Sequence, residues 1–277
     1  MIKIIDLDQL FDKYISDFVY ANIGKVKPEE IENQIPKLYE KFGDEKLKEL
    51  DGKTPNTYYK GFSGEQLLEC LYEHIESGIA VSDFLCEAIT SEPKNEDALV
   101  DGLKKDDNEE FIVYLMNMLG DMQSKKAKNR YLEFVLFDYS QTICELATEL
   151  LSQMADEVKE QILSQFKEVS EDKKANLTEI LSNCKKDDRV FDILVAEFCK
   201  HQENTPLYAT YLSKYGDERA IPFLMTAIES QKISYAEFTE LRFAIEALGG
   251  TYDKERDFSA DKTYKKIKNI KNTKIIN

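Results

Sequence analysis

A pair of apolar residues four apart recurs along this chain at an almost constant interval. Its members are Leu68/Tyr72, Leu99/Leu103, Leu132/Leu136, Ile162/Phe166, Leu194/Phe198 and Leu224/Ile228, with successive first members 31, 33, 30, 32 and 30 residues apart. A second set, Phe84/Ala88, Leu115/Leu119, Leu146/Leu150, Leu177/Leu181, Tyr208/Leu212 and Ala244/Leu248, steps by 31, 31, 31, 31 and 36. Side chains four apart stand one turn apart on the same helix face, so each pair is a contact stripe. Two short helices cannot bury such stripes alone, whereas stacked pairs share one continuous core. Alternation of period two, the mark of a half-buried strand, is missing. With 11 Gly and 6 Pro in 277 residues, the chain is also short of turn residues for a loop-rich β architecture. The expected fold is an all-α solenoid of paired helices.

Helix punctuation agrees with these intervals. Ser63 with Gln66 and Ser234 with Glu237 read as capping boxes, and Thr205-Pro206 reads as a cap followed by a first-turn proline. Gly43, Gly78, Gly120, Gly216 and Gly249 follow apolar stretches, as helix-ending glycines do. Short polar turns such as Lys105-Asp106-Asp107-Asn108 separate the helices, and Lys185-Lys186-Asp187-Asp188 reads likewise, with lysine ending one helix and aspartate starting the next.

The last unit carries more than spacing. Tyr215-Gly216-Asp217-Glu218-Arg219-Ala220-Ile221-Pro222-Phe223-Leu224, followed by Ala244-Ile245-Glu246-Ala247-Leu248-Gly249-Gly250, resembles a bacterial HEAT-type repeat. The motif covers residues 215–250; the earlier units share its period without its proline. The resemblance implies a right-handed α-α superhelix of the HEAT-like or armadillo type, here with about six helix pairs. It also implies a concave face lined by the second helices and the job of holding another macromolecule.

Three segments follow from this reading. Residues 1–60 hold helical patterns at about 8–21 and 28–42, separated by Gly24 and Pro28, that fall outside the register and suit an N-terminal cap. Residues 61–250 are the repeats. Residues 251–277 form a basic tail: from 262 onward it carries six lysines (262, 265, 266, 268, 271 and 274), no acid, and only Ile267, Ile270, Ile275 and Ile276 as apolar positions, which suggests a frayed or peripheral end.

The formal net charge of −16 disfavours nucleic acid as a partner of the body of the molecule, because a row of phosphates demands a basic face. The five cysteines, Cys70, Cys86, Cys144, Cys184 and Cys199, are odd in number and sit inside apolar helical patterns, as buried thiols of a reducing compartment do. The N-terminus lacks the apolar core of a signal peptide, and no apolar run approaches the roughly 18 residues of a membrane span, so the expectation is a cytoplasmic chain.

Nothing in the sequence reads as a catalytic constellation. Neither His74 nor His201 sits in a recognisable metal-ligand pattern, and HExxH, CxxC and paired-histidine motifs are absent, so neither a metal nor a cofactor is expected. Each histidine reads as a half-exposed helix residue. Serines sit at caps without a nucleophile elbow, and Gly61-Phe62-Ser63-Gly64 is too short for a phosphate loop. In the loop from Asp51 to Tyr59, Thr54-Pro55 reads as a cap with its proline, and Tyr58 and Tyr59 as packing residues.

One pattern stands apart. Stepped by 31, the stripe of the second helices opposite the core pair reads Glu110, Tyr114, Asn117, Asp121; Gln141, Glu145, Thr148, Ser152; Asp172, Asn176, Glu179, Asn183; Glu203, Leu207, Thr210, Lys214. Six acids against one lysine leave it at −5. Any exposed helix face of an acidic protein has a similar composition. Placed on a concave face, however, it would be a groove for a protein or peptide, a basic one being what the charge favours. The candidate partner-binding residues are Glu110, Tyr114, Asn117, Gln141, Glu145, Thr148, Asp172, Asn176, Glu179, Glu203 and Thr210. The expected function is a non-catalytic interaction scaffold. The alternative is an enzyme on the same architecture, similar to helical-repeat bilin lyases or, against the missing tryptophan and the wrong sign of the groove, to DNA glycosylases.

Overall fold

The computed structural model describes residues 3–23, 31–105 and 108–266, and among these the chain is helical with no strand. Gly24, Pro28, Asp106, Asp107 and the tail from Ile267, with Lys268, Lys271 and Lys274, lie outside the described residues. Helices α1 (Leu7–Asn22), α2 (Ile35–Gly43) and α3 (Pro55–Tyr58) come first. Then follow α4 (Gly64–Glu76), α5 (Asp83–Thr90), α6 (Glu96–Lys105), α7 (Glu109–Asp121), α8 (Lys128–Leu136) and α9 (Gln141–Gln153). The last are α10 (Ala155–Gln165), α11 (Glu171–Leu181), α12 (Asp188–Lys200), α13 (Thr205–Tyr215), α14 (Ile221–Ile228) and α15 (Tyr235–Ala247). The chain forms two compact units, residues 1–130 and 131–277, and the division falls inside α8 rather than at residue 60 or 250.

In unit 1, α4 packs on α5, α6 and α7, and α5 packs on α7. In unit 2, α11 packs on α9, α10, α12 and α13, while α15 packs on both α13 and α14. Second helices of successive pairs are thus neighbours within each unit. The interval read from the sequence is the interval of burial: Leu99, Leu103, Leu115, Leu119, Ile162, Leu177, Leu181, Leu212, Leu224 and Ile228 are all fully enclosed. Burying each such side chain contributes about 1.5–3 kcal/mol.

The register slips in several helices. In α5 Leu85 and Ile89 are enclosed while Ala88 is half-buried, and in α8 Tyr131 and Val135 are enclosed while Leu136 is half-buried. In α4 the enclosed stripe is Leu67, Cys70, Leu71 and His74, one residue away from Leu68/Tyr72, which are half-buried. In α9 it is Ile143, Ala147, Leu150 and Leu151, with Leu146 half-buried.

Local chemistry sets the helix starts. Ser63 and Gln66 form a reciprocal capping box, as do Ser234 and Glu237, and Thr54 does the same with Thr57 ahead of Pro55. Behind that cap, Tyr58 and Tyr59 are buried with their ring centroids 5.0 Å apart. Thr205 lies one residue further in than expected: Asn204 is the cap and the Thr205 hydroxyl donates to Gln202 O at 2.9 Å. Gly216 ends α13 in the left-handed region (φ 77°), its N–H reaching Leu212 O, where a Cβ would be strained. Gly43 and Gly120 are helical instead.

Aromatic clusters close the first and last segments. In unit 1, Phe11 lies 4.8 Å from Tyr39 and 5.3 Å from Phe42, and both of those rings meet Phe84 of α5, so α1 and α2 cover the first helix pair. In unit 2, residues 252–261, ahead of the lysine-rich end, are packed. Tyr252 and Phe258 are buried against Phe238, Tyr235 stacks edge-on with Phe258 and Tyr264, and Asp261 accepts the backbone N–H of Tyr235 at 3.2 Å. Lys254 pairs with Glu229 at 2.6 Å and Arg256 donates to Ser230 O. The segment is a strap over α15. Phe258→Ala should therefore lower unfolding stability by about 2–4 kcal/mol in chemical denaturation. A frayed tail would leave the denaturation midpoint where it is.

Candidate functional site

The eleven candidate residues divide between the two units. In unit 1, α7 turns Phe111, Ile112, Leu115, Met116, Met118 and Leu119 inward, which leaves Glu110 and Asn117 exposed and Tyr114 half-buried. Burial first, then the nearby Cys86 and Glu110, raises the Tyr114 hydroxyl above the usual phenol value.

In unit 2, Gln141 and Glu145 are exposed on α9, and the Gln141 amide donates to Glu145 Oε1 at 2.6 Å. On α11, Asp172 is exposed while Asn176 and Glu179 are half-buried. The latter two tie neighbouring second helices together: Asn176 Nδ2 donates to Cys144 Sγ at 3.2 Å, and the Tyr211 hydroxyl donates to Glu179 Oε2 at 3.3 Å. Thr210 is exposed on α13 and donates to Pro206 O; Glu203 is exposed in the turn before α13, where it meets His201 Nδ1 at 2.8 Å. Thr148 is the correction. It is only 4% exposed and its hydroxyl donates to Cys144 O at 2.8 Å, because the one-residue slip in α9 carries it into the seam with α11. It offers nothing to a partner.

Charge is distributed unevenly over the surface. Near the turns, an acid of one pair meets a cation 29 residues later: Asp97 with Lys126, Asp156 with Lys185, Glu160 with Arg189, and Glu171 with Lys200. The lowered pKa of Glu160, set first by its bonds from Arg189, and of Glu171, brought down to about 2 by Lys174 and Lys200, reflects this pairing. On the second helices Glu110, Glu145 and Glu149 are exposed and meet no cation among the described residues.

Three concavities of about 890, 650 and 460 Å³ lie elsewhere. The largest, in unit 1, runs between α4 and α6 past Glu69, Tyr72, Asp101 and Lys105; the smallest, in unit 2, is walled by Phe198, Phe223 and Leu241. None of the eleven residues lines any of them.

The histidines depart from the expectation of two half-exposed residues. His74 is fully enclosed, with Nδ1 2.7 Å from Cys70 O and Nε2 3.3 Å from Ile5 O, so it pins the chain before α1 to α4. His201 is the one that meets acids. Glu171, Glu197 and His201 are the set among the described residues whose side chains could share a metal ion. Glu197 stands four residues before His201, one turn away on the same helix face, a spacing that a pattern of Cys, His and Asp ligands does not include.

No protein-family model matches this chain, and no curated protein matches it. No helix among the described residues is long and apolar enough to cross a membrane.

All five cysteines are unpaired. Burial pushes the Cys70 and Cys86 thiols up to about 11 and Cys184 up to about 12, and it raises Cys144 as well; Cys199 is exposed. Native protein near pH 8 should therefore give one rapidly reacting thiol with a disulfide reagent and five after denaturation, with Cys199→Ser removing the rapid one. Several rapid thiols in the native state would contradict the burial.

Proposed function

We propose that the chain is a non-catalytic interaction scaffold: a HEAT-like solenoid of about six helix pairs whose second helices offer an acidic, hydrogen-bonding face to a basic segment of a partner protein. The observation that carries this reading is the contrast between neutralised and bare acids. Glu110, Glu145 and Glu149 stand exposed without a cation among the described residues, whereas Asp97, Asp156, Glu160 and Glu171 each have one from the following pair. Carboxylates kept apart from internal cations repel one another at a small cost in stability, and a basic partner relieves that repulsion while being steered in by it.

The repeat reading gains support from local structure. In the segment that resembles a HEAT repeat, Asp217 accepts Arg219 N at 3.0 Å and also binds the arginine side chain. Thirty residues earlier Asp187 holds Arg189 in the same way, N to Oδ1 at 3.0 Å and Nη2 to Oδ2 at 2.7 Å. The second set of pairs also keeps its 31-residue step from Leu115 to Leu146, across residues 130 and 131.

Affinity capture from host lysate at about 50 mM salt tests the reading, with a second wash near 500 mM, where screening collapses to a few ångströms. One basic protein should be held near one-to-one stoichiometry and released by the salt wash. Glu110→Lys with Glu145→Lys should weaken its binding at least about tenfold, with an unchanged Tm. A folded double variant that binds as tightly as the native chain would remove the acidic face from consideration.

A further inference from the structure

We propose that Glu171, Glu197 and His201 form a site for one divalent transition-metal ion, zinc(II) or a close relative, between α11 and the end of α12. The three donor atoms lie within 4.8 Å of one another. His201 Nε2 is 3.3 Å from Glu197 Oε2 and 3.8 Å from Glu171 Oε2. Two ligands bound at about 2.1 Å in a tetrahedron are about 3.4 Å apart, so the cluster is already close to coordination spacing.

The orientation of the imidazole is the second argument. Its Nδ1 is 2.8 Å from Glu203 Oε1, an acceptor only, so a proton sits on Nδ1. In the neutral ring Nε2 is left as the metal-binding nitrogen on the side of Glu197 and Glu171. Its ring is also held flat against Tyr208, with centroids 5.0 Å apart and planes within 8°. A lone pair facing two anionic oxygens is repulsive unless a cation stands between them.

Burial is the third. Glu197 is 6% exposed, and both its Oε2 and His201 Nε2 are enclosed without any hydrogen-bond partner. A buried carboxylate oxygen left bare costs far more than a surface one, and a neutral imidazole at 3.3 Å cannot satisfy it as a donor. A metal ion satisfies both atoms at once. Glu203 would then be the outer carboxylate that fixes the histidine tautomer, an arrangement typical of metal-bound imidazole.

Imidazole with two carboxylates favours zinc, manganese, iron or cobalt over magnesium and calcium, which take oxygen ligands alone. Three protein ligands leave a fourth position for water. Glu171 Oε2 also accepts a bond from Lys200, and Lys174 holds Oε1 at 2.7 Å. The ion would displace the Lys200 ammonium from Oε2 and leave the Lys174 contact in place. Glu171 opens the second helix of one pair and His201 closes the first helix of the next, so the ion would staple consecutive pairs in unit 2.

The test uses the full chain without an affinity tag, stripped with chelator, and titrated with zinc(II) by calorimetry and with cobalt(II) by visible absorption. One ion per chain, a higher Tm with zinc, and cobalt bands without thiolate charge transfer are expected. Glu197→Gln and His201→Gln should each weaken zinc binding at least tenfold, and Glu203→Gln should weaken it roughly tenfold as an outer partner does. His74→Gln, if folded by circular dichroism, should bind as the native chain does. The proposal is overturned by absence of zinc binding at millimolar concentration. It is equally overturned by unchanged affinity in folded Glu197→Gln and His201→Gln. A Tm that responds to pH through His201 but not to metal would assign the cluster to a proton instead, which also overturns it.

Discussion

A pair of helices eight to thirteen residues long cannot enclose its own apolar stripes, and every other feature of this protein answers that deficit. Each pair supplies one wall of its neighbour's core. The consequence is visible in contacts that repeat with the sequence interval: ion pairs 29 residues apart near the turns, and side-chain bonds 32 residues apart between Glu76 and Asn108, Cys144 and Asn176, and Glu179 and Tyr211. Exposed ion pairs contribute no more than about 1 kcal/mol each, less than a single enclosed leucine. The aliphatic seam therefore holds each unit together, and the polar contacts select which residue of one pair faces which residue of the next.

Periodicity made the helices and most of the core legible, because a stripe of Leu, Ile and Phe has one face on which to be buried. It failed where two faces compete. In α4 Leu67 and Leu68 are adjacent, as are Leu71 and Tyr72, so spacing alone admits two registers; enclosure of Cys70 and His74 decides for the first. In α9 the same ambiguity between Leu150 and Leu151 turns Thr148 inward. A threonine hydroxyl that can bond to the carbonyl four residues back loses little by burial, so polarity was a poor guide to exposure there. His74 shows the same limit, since its two ring nitrogens find backbone carbonyls that no sequence motif announces.

The segment ahead of the lysine-rich end was hard to read for a different reason. It packs through Tyr252, Phe258 and Tyr264, which follow no helical period. Six-residue spacing belongs to neither helix nor strand, so a search for period missed an irregular segment that packs through aromatic rings. Acidic residues in the strap work in the same sense, with Asp261 taking up the free amide of Tyr235 at the start of α15.

Aromatic residues gather where the repeat runs out. The α1, α2 and α5 rings in unit 1, and the cluster of Tyr235, Phe238, Tyr252, Phe258 and Tyr264 in unit 2, cover helix faces that have no further pair beside them. Large planar side chains suit that task, because each covers some 150–250 Å² with few rotatable bonds and tolerates an irregular backbone. Covered in this way, the first and last pairs present no bare leucine stripe on which another chain could extend the stack. The enclosure is not complete on the lateral faces: Phe223 and Phe243 stay exposed on α14 and α15, so the rings that close the ends do so by position and not because apolar side chains are buried everywhere.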